Sequence, residues 1–168
     1  MHMMQLWVNL PKKDKMTPPG YQAITTAQIP AAAIPDGAGT VRVIAGEYAG
    51  HKGPARTFTP MNVWDVRLDA GKTAELAQPE GWTVQVVVLA GVVQVNGDTI
   101  LRAAQMATLS TGGGGVSIEA NNEAKILLLA GEPIDEPVVG YGPFVMNTRE
   151  EIVQAIDDFN SGKFGRVA

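Results

Sequence analysis

From residue 61 to residue 69 the chain alternates. Trp64, Val66 and Leu68 fall on one face, and Val63, Asp65, Arg67 and Asp69 on the other. A period of two marks a half-buried β-strand. Other short apolar stretches, at 5–10, 40–45, 82–89, 92–95, 99–101, 106–109, 116–120 and 126–130, are separated by turn residues and predict further strands. In the first of these, Gln-Leu-Trp-Val-Asn-Leu, residues Leu6, Val8 and Leu10 share one face and predict an N-terminal strand. The run 126–130, Ile-Leu-Leu-Leu-Ala, is bounded by Gly131 and Pro133 and reads as a strand covered on both faces. Asn96-Gly97 predicts a type I′ hairpin turn, because both residues tolerate positive φ.

The period changes near the C-terminus. Thr148 followed by Glu151 forms a capping box, Ile152, Val153, Ile156 and Phe159 repeat at helical spacing, and Gly162 offers a stop. A helix over 148–160, docked by that stripe, is expected. Between strand and helix, Pro133, Pro137 and Pro143 fix φ and remove donors, which predicts an ordered irregular crossing over 132–143. Many short strands with one hairpin and one helix predict an all-β fold: a jelly-roll barrel with a single C-terminal helix, forming one domain over 1–168. Its residues 1–20 would be an N-terminal strand and a linker-like loop.

Composition narrows the chemistry. The chain has 168 residues, a net charge of −4 and no cysteine. Disulfides, thiol nucleophiles and cysteine metal sites are excluded, and the acidic balance argues against a direct nucleic-acid surface. The lysines at 12, 13 and 15 read as solvated loop charges, with a site for an anionic partner as the alternative. The longest apolar run, 86–93, is far too short to span a membrane. The first residues show no secretory leader pattern, so a cytoplasmic protein is expected. Two histidines are present, His2 near the terminus and His51 in a Gly/Pro loop beside Glu47. Glu47 and His51 are the candidate metal ligands, yet a metal site ordinarily needs at least three. No Ser-His-Asp set is visible. The glycines at 112–115 lead into Val116-Ser117-Ile118 rather than Lys-Ser/Thr and a helix, so they read as a flexible loop rather than a phosphate cradle. Trp64 and Trp82 fall on strand patterns and read as core.

The stretch AGEPIDEPVVGYGPFVMNTREEI, residues 130–152, resembles the signature near the C-terminus of the pirin family. QLWVNLP with KDKM after it, and VRVIAGE with KGP after it, are similar to the same family. The first of these resembles the join between its two halves. The resemblance covers nearly the whole chain but only about the second half of the family, so the chain is expected to begin where the family's second domain begins.

That resemblance implies a cupin fold. Cupin enzymes hold a metal with His-x-His, a Glu and a later His. Aligned on Gly91 and Gly113, the His positions fall at Gln78 and Glu80, or at Ala77 and Pro79 with a longer spacer. The Glu position falls at Val84 and the last His at Val116. The metal site of pirins lies in their first half, on a HPHRGFE-like segment that is absent here. The expectation is therefore a metal-free domain with no catalytic or cofactor-binding residues, serving as a structural, protein-interaction or regulatory module. It would form a homodimer or pair with another cupin or pirin domain, with no direct nucleic-acid contact and no membrane. Two alternatives stand beside it. The chain is part of a pirin-type, quercetinase-like dioxygenase whose metal site comes from a separate N-terminal half, or it is a small-ligand-binding barrel.

Overall fold

The computed structural model describes residues 3–165. His2 lies outside them. The chain forms two compact units, one of Gly20–Pro133 and one that joins Met1–Pro19 to Ile134–Ala168. They are called the sheet unit and the terminal unit below.

The sheet unit contains β1 (Ala31–Ile34), β2 (Gly39–Ala45), β3 (Glu47–Tyr48), β4 (His51–Lys52), β5 (Met61–Leu68), β6 (Thr73–Ala77), β7 (Thr83–Ala90), β8 (Val92–Val95), β9 (Thr99–Arg102), β10 (Met106–Thr108), β11 (Gly115–Ala120) and β12 (Ala124–Gly131). A six-stranded sheet runs β1-β2-β5-β12-β7-β10, a four-stranded sheet runs β6-β11-β8-β9, and β3 pairs with β4 alone. Neighbouring strands are antiparallel throughout. Such sheets pack one face on a core and leave the other toward solvent, which is why β5 shows the alternation seen in its sequence. Among the described residues no ladder joins the two larger sheets. They are held by one apolar cluster that takes Val41, Trp64, Val86 and Leu128 from the first sheet and Leu76, Val95 and Ile118 from the second.

β12 lies between β5 and β7, with Leu128 opposite Trp64 on one side and Val86 on the other. Ile126, Leu127 and Leu128 are all buried, as the unbroken apolar run implied. The Asn96-Gly97 hairpin is present. Both residues have positive φ, 50° and 77°, and the Asp98 N–H donates to the Val95 carbonyl at 3.3 Å. Two strands are weakly signalled in the sequence. β1 is Ala-Ala-Ala-Ile and β6 is Thr-Ala-Glu-Leu-Ala, poor in β-branched and aromatic residues. Pairing with β2 and β11 overrides that local preference.

In the terminal unit the expected strand at 5–10 is absent. These residues are irregular, and Leu6, Trp7 and Val8 are exposed. Alternation alone does not make a strand, since the backbone groups need a partner ladder. Part of the expected irregular crossing is instead a two-stranded hairpin, β13 (Val139–Tyr141) with β14 (Phe144–Met146). Gly142, at φ 54°, and Pro143 make its turn.

The helix α1 spans Arg149–Asn160 with Thr148 as N-cap, and the capping box is closed. The docked stripe differs from the one expected. Ile152, Ala155 and Asp158 are buried, while Val153 and Phe159 are exposed, Phe159 at 62%. A three-residue spacing selects the buried face, and the Phe159 ring lies edge-on to Phe144 with centroids 6.2 Å apart. Among the described residues no helix is long and apolar enough to cross a membrane.

Candidate functional site

Three of the cupin ligand positions fall in the interior of the sheet unit. Gln78, Val84 and Val116 are buried, whereas Glu80 is exposed on a turn. Valine offers no lone pair, so neither Val84 nor Val116 can coordinate a cation. Among the described residues no three His, Cys, Asp or Glu side chains converge. The cupin metal set does not fit this interior.

What stands there is a carboxamide pair. Asn62 on β5 donates from Nδ2 to Oε1 of Gln78, just past β6, at 2.8 Å. The bond thus ties the six-stranded sheet to the edge of the four-stranded one. Asn62 Oδ1 in turn accepts from the Glu47 N–H at 3.3 Å. That approach needs glycine at position 46, which has φ 77° and where a Cβ would collide with Asn62 Oδ1 and the Met61 carbonyl oxygen. The Gln78 N–H donates to the Gly114 carbonyl at 2.9 Å, so the glycine loop is fastened to the same end of the unit. Among the described residues two donors remain without partners, Gln78 Nε2 and Trp64 Nε1. The half-buried Tyr48 stands edge-on to Trp64 at 5.1 Å, and burial pushes its phenol pKa up.

Glu47 and His51 are not brought together. They sit on β3 and β4, where Glu47 faces Lys52 and His51 faces Tyr48. Directly opposed residues share a face and successive residues alternate, so Glu47 and His51 project to opposite sides of this ribbon. Both are exposed, and His51 Nδ1 lies 3.1 Å from the Ala49 carbonyl oxygen.

The terminal unit has a polar hub and an apolar groove. Glu136 accepts from the Lys12 N–H at 2.7 Å and from Asn147 Nδ2 at 3.0 Å. Glu151 accepts from the N–H groups of Asn147 and Thr148 and pairs with Lys12 Nζ at 3.1 Å. Lys12 first, and then the Asn147 amide, hold the Glu151 carboxyl below its usual pKa. Lys163 and Gln154 do the same for Asp158. Beside this hub lies a cavity of about 320 Å³ lined by Trp7, Val8, Leu10, Pro143, Val145 and Met146, with Lys15 at its wall. The Lys15 ammonium donates to Asn9 Oδ1 at 2.7 Å, and Trp7 is 72% exposed.

Sequence reading missed Asn62 and Asn147. Asn62 had left a trace, because it stands in phase with Trp64, Val66 and Leu68 and is therefore a polar residue at a core position of the alternation. Asn147 had no such signal, as its partners Glu136 and Pro137 are distant in the sequence.

Comparison with known proteins gives a consistent picture. Residues 63–165 match the family described as the pirin C-terminal cupin domain. A candidate quercetin 2,3-dioxygenase of Pseudomonas aeruginosa is 55% identical over 166 residues, which is 99% of this chain and 58% of that protein. Human pirin is 40% identical over 168 residues, covering 98% of this chain and 57% of pirin. A crystal structure of quercetin 2,3-dioxygenase from Acinetobacter baumannii superposes with a TM-score of 0.91 at 51% identity, over 96% of this chain and 56% of that one. The fold is thus a cupin fold, and the chain spans little more than half the length of these relatives.

Proposed function

Because this chain belongs to the pirin family, we propose that it is the non-catalytic half of a pirin-type quercetin dioxygenase, docking a second cupin unit that carries the metal. On this reading the two facing sheets form the jelly-roll barrel of a cupin, used here as a platform rather than a reaction chamber. The observation that carries the proposal is the groove around Trp7. Monomeric soluble proteins seldom leave contiguous apolar surface in water without an interaction purpose, and a tryptophan beside a cavity is a common anchor of an interface. The dioxygenase assignment rests on the names of the relatives from Pseudomonas and Acinetobacter. The division of labour rests on the cupin ligand positions held by Gln78, Val84 and Val116.

The test mixes this chain with the separately produced first cupin half of the Pseudomonas aeruginosa relative, supplied with iron. Light scattering should report a one-to-one complex and quercetin should be consumed, while this chain with iron alone consumes none. Trp7→Ser should weaken the complex about tenfold or more. Quercetin turnover by this chain alone would overturn the proposal, as would a complex indifferent to Trp7→Ser. A second copy of the chain is the other occupant the groove admits, because one self-complementary patch can serve both partners of a symmetric dimer. A dimer of the chain alone that the Trp7 variant dissociates would select that second reading.

A further inference from the structure

The two larger sheets end in the edge strands β1 and β10 on one and β6 and β9 on the other. In an antiparallel ladder every second residue bonds to the neighbouring strand. On an edge strand the residues between them turn N–H and C=O outward, where a further strand can pair with them. On β6 the parity is set at both ends. The Ala120 N–H donates to the Lys72 carbonyl at 2.8 Å, and the Gln78 N–H donates to the Gly114 carbonyl at 2.9 Å. Ala74 and Leu76 therefore bond to β11, and Thr73, Glu75 and Ala77 aim their backbone groups at the open side. Among the described residues no hydrogen bond reaches those outward groups. The other edges offer less. On β9 the Gln105 side chain accepts from the outward Arg102 N–H at 2.8 Å, and the Gln105 N–H takes the Arg102 carbonyl at 3.0 Å. The short β1 leaves Ala31 and Ala33 outward between Pro30 and Pro35, and β10 leaves Met106 and Thr108.

The side chains along β6 say what kind of strand fits. Thr73, Glu75 and Ala77 are exposed on the outer face, whereas Ala74 and Leu76 are buried. Glu75 lies opposite Ser117 and Thr73 opposite Glu119, so Glu75 and Glu119 are diagonal neighbours about 7 Å apart. Glu75 accepts from the Ser117 hydroxyl at 2.5 Å, and among the described residues neither carboxylate has a cationic partner. A second copy of β6 fits poorly. The antiparallel register that uses all three outward residues sets Glu75 against Glu75, and like charges directly opposite are destabilising. The same charge favours a cation at that position. In an extended segment the residues on either side of that cation point the other way, toward the side of Ala74 and Leu76, where apolar groups belong. We propose that β6 is a strand-addition site for an extended peptide segment with a lysine or arginine between two apolar residues, its cation beside Glu75 and its backbone bonded to Thr73, Glu75 and Ala77. This site uses the sheet unit alone, so it can fail while the docking proposal stands, and the reverse.

The experiment uses the full chain labelled with nitrogen-15 and the peptide acetyl-Thr-Val-Lys-Val-Thr-amide as probe. At millimolar peptide the Thr73, Glu75 and Ala77 amides should shift saturably and exchange more slowly with solvent. The Ala74 and Leu76 amides, already bonded to β11, should keep their exchange rates. The same peptide with glutamate in place of lysine should bind about fivefold more weakly or worse, and Glu75→Lys should reverse that preference. Ala77→Pro removes one outward donor at an edge position that tolerates proline, and should weaken the lysine peptide about fivefold. Silence of the three outward amides would overturn the proposal, as would equal binding of the two peptides or a response at Ala31, Ala33 or Met106 in place of β6. So would outward amides that already exchange slowly in the chain alone and quicken on dilution, which would put a second copy on β6.

Discussion

The sheet unit and the terminal unit solve the same problem with different means. In the sheet unit, side chains such as Val41, Val86, Ile126 and Leu128 are fully buried between two ladders, and apolar burial in a continuous core is the cohesive force. In the terminal unit, Trp7, Tyr141, Phe159 and Phe164 are more exposed than buried. Order there comes from Glu136, Asn147 and Glu151, which collect backbone amides and Lys12 into one network around the start of α1. A core cut this small cannot enclose its own large side chains, because surface outgrows volume as a unit shrinks. Its large apolar side chains thus stay largely exposed, whereas the sheet unit encloses most of its own and exposes a few, such as Tyr21, Phe58, Ile100 and Met106.

The largest effect that separates the two units is expected from Leu128→Ala. Leu128 lies in the middle of the central strand with 0% exposure, and its loss should cost about 2–5 kcal/mol, read from the denaturant midpoint. Acid should then act on the other unit first. The Glu151 and Asp158 carboxyls are held below their usual pKa in the folded state, by Lys12 and Lys163 respectively before any other group. The unfolded chain therefore binds protons more readily, and stability present above the ordinary carboxylate pKa near pH 4 is lost as pH falls through the lowered values. Amide exchange should show α1 losing protection at a higher pH than β12. Simultaneous loss in both would mean that the two units unfold as one and the contrast does not hold.

Smaller effects sharpen the picture within α1. Thr148→Ala removes the hydroxyl that accepts from the Glu151 N–H at 3.2 Å and should cost about 1 kcal/mol, visible in exchange of the first helical turn. Phe159→Ala should cost at most about 1 kcal/mol, because the exposed ring gives up little more than its edge contact with Phe144. A Phe159 effect as large as that of Leu128 would show that the ring is buried in solution, against the exposure it has here.

Some of this was legible in the sequence by itself. The alternation of β5, the apolar run of β12, the Asn96-Gly97 turn and the Thr148–Glu151 cap each depend on residues within a few positions of one another. Local sterics and local hydrogen bonds decide such features, so a local reading finds them. Other features were settled only when distant segments met. Thr-Ala-Glu-Leu-Ala became β6 because β11 supplied a ladder, while Gln-Leu-Trp-Val-Asn-Leu gained none and stayed irregular. The buried face of α1, the separation of Glu47 from His51 and the bond from Asn62 to Gln78 are likewise outcomes of packing and pairing. Hydrogen bonds and apolar contacts between residues far apart in the chain have no local signature, so tertiary structure alone decided them.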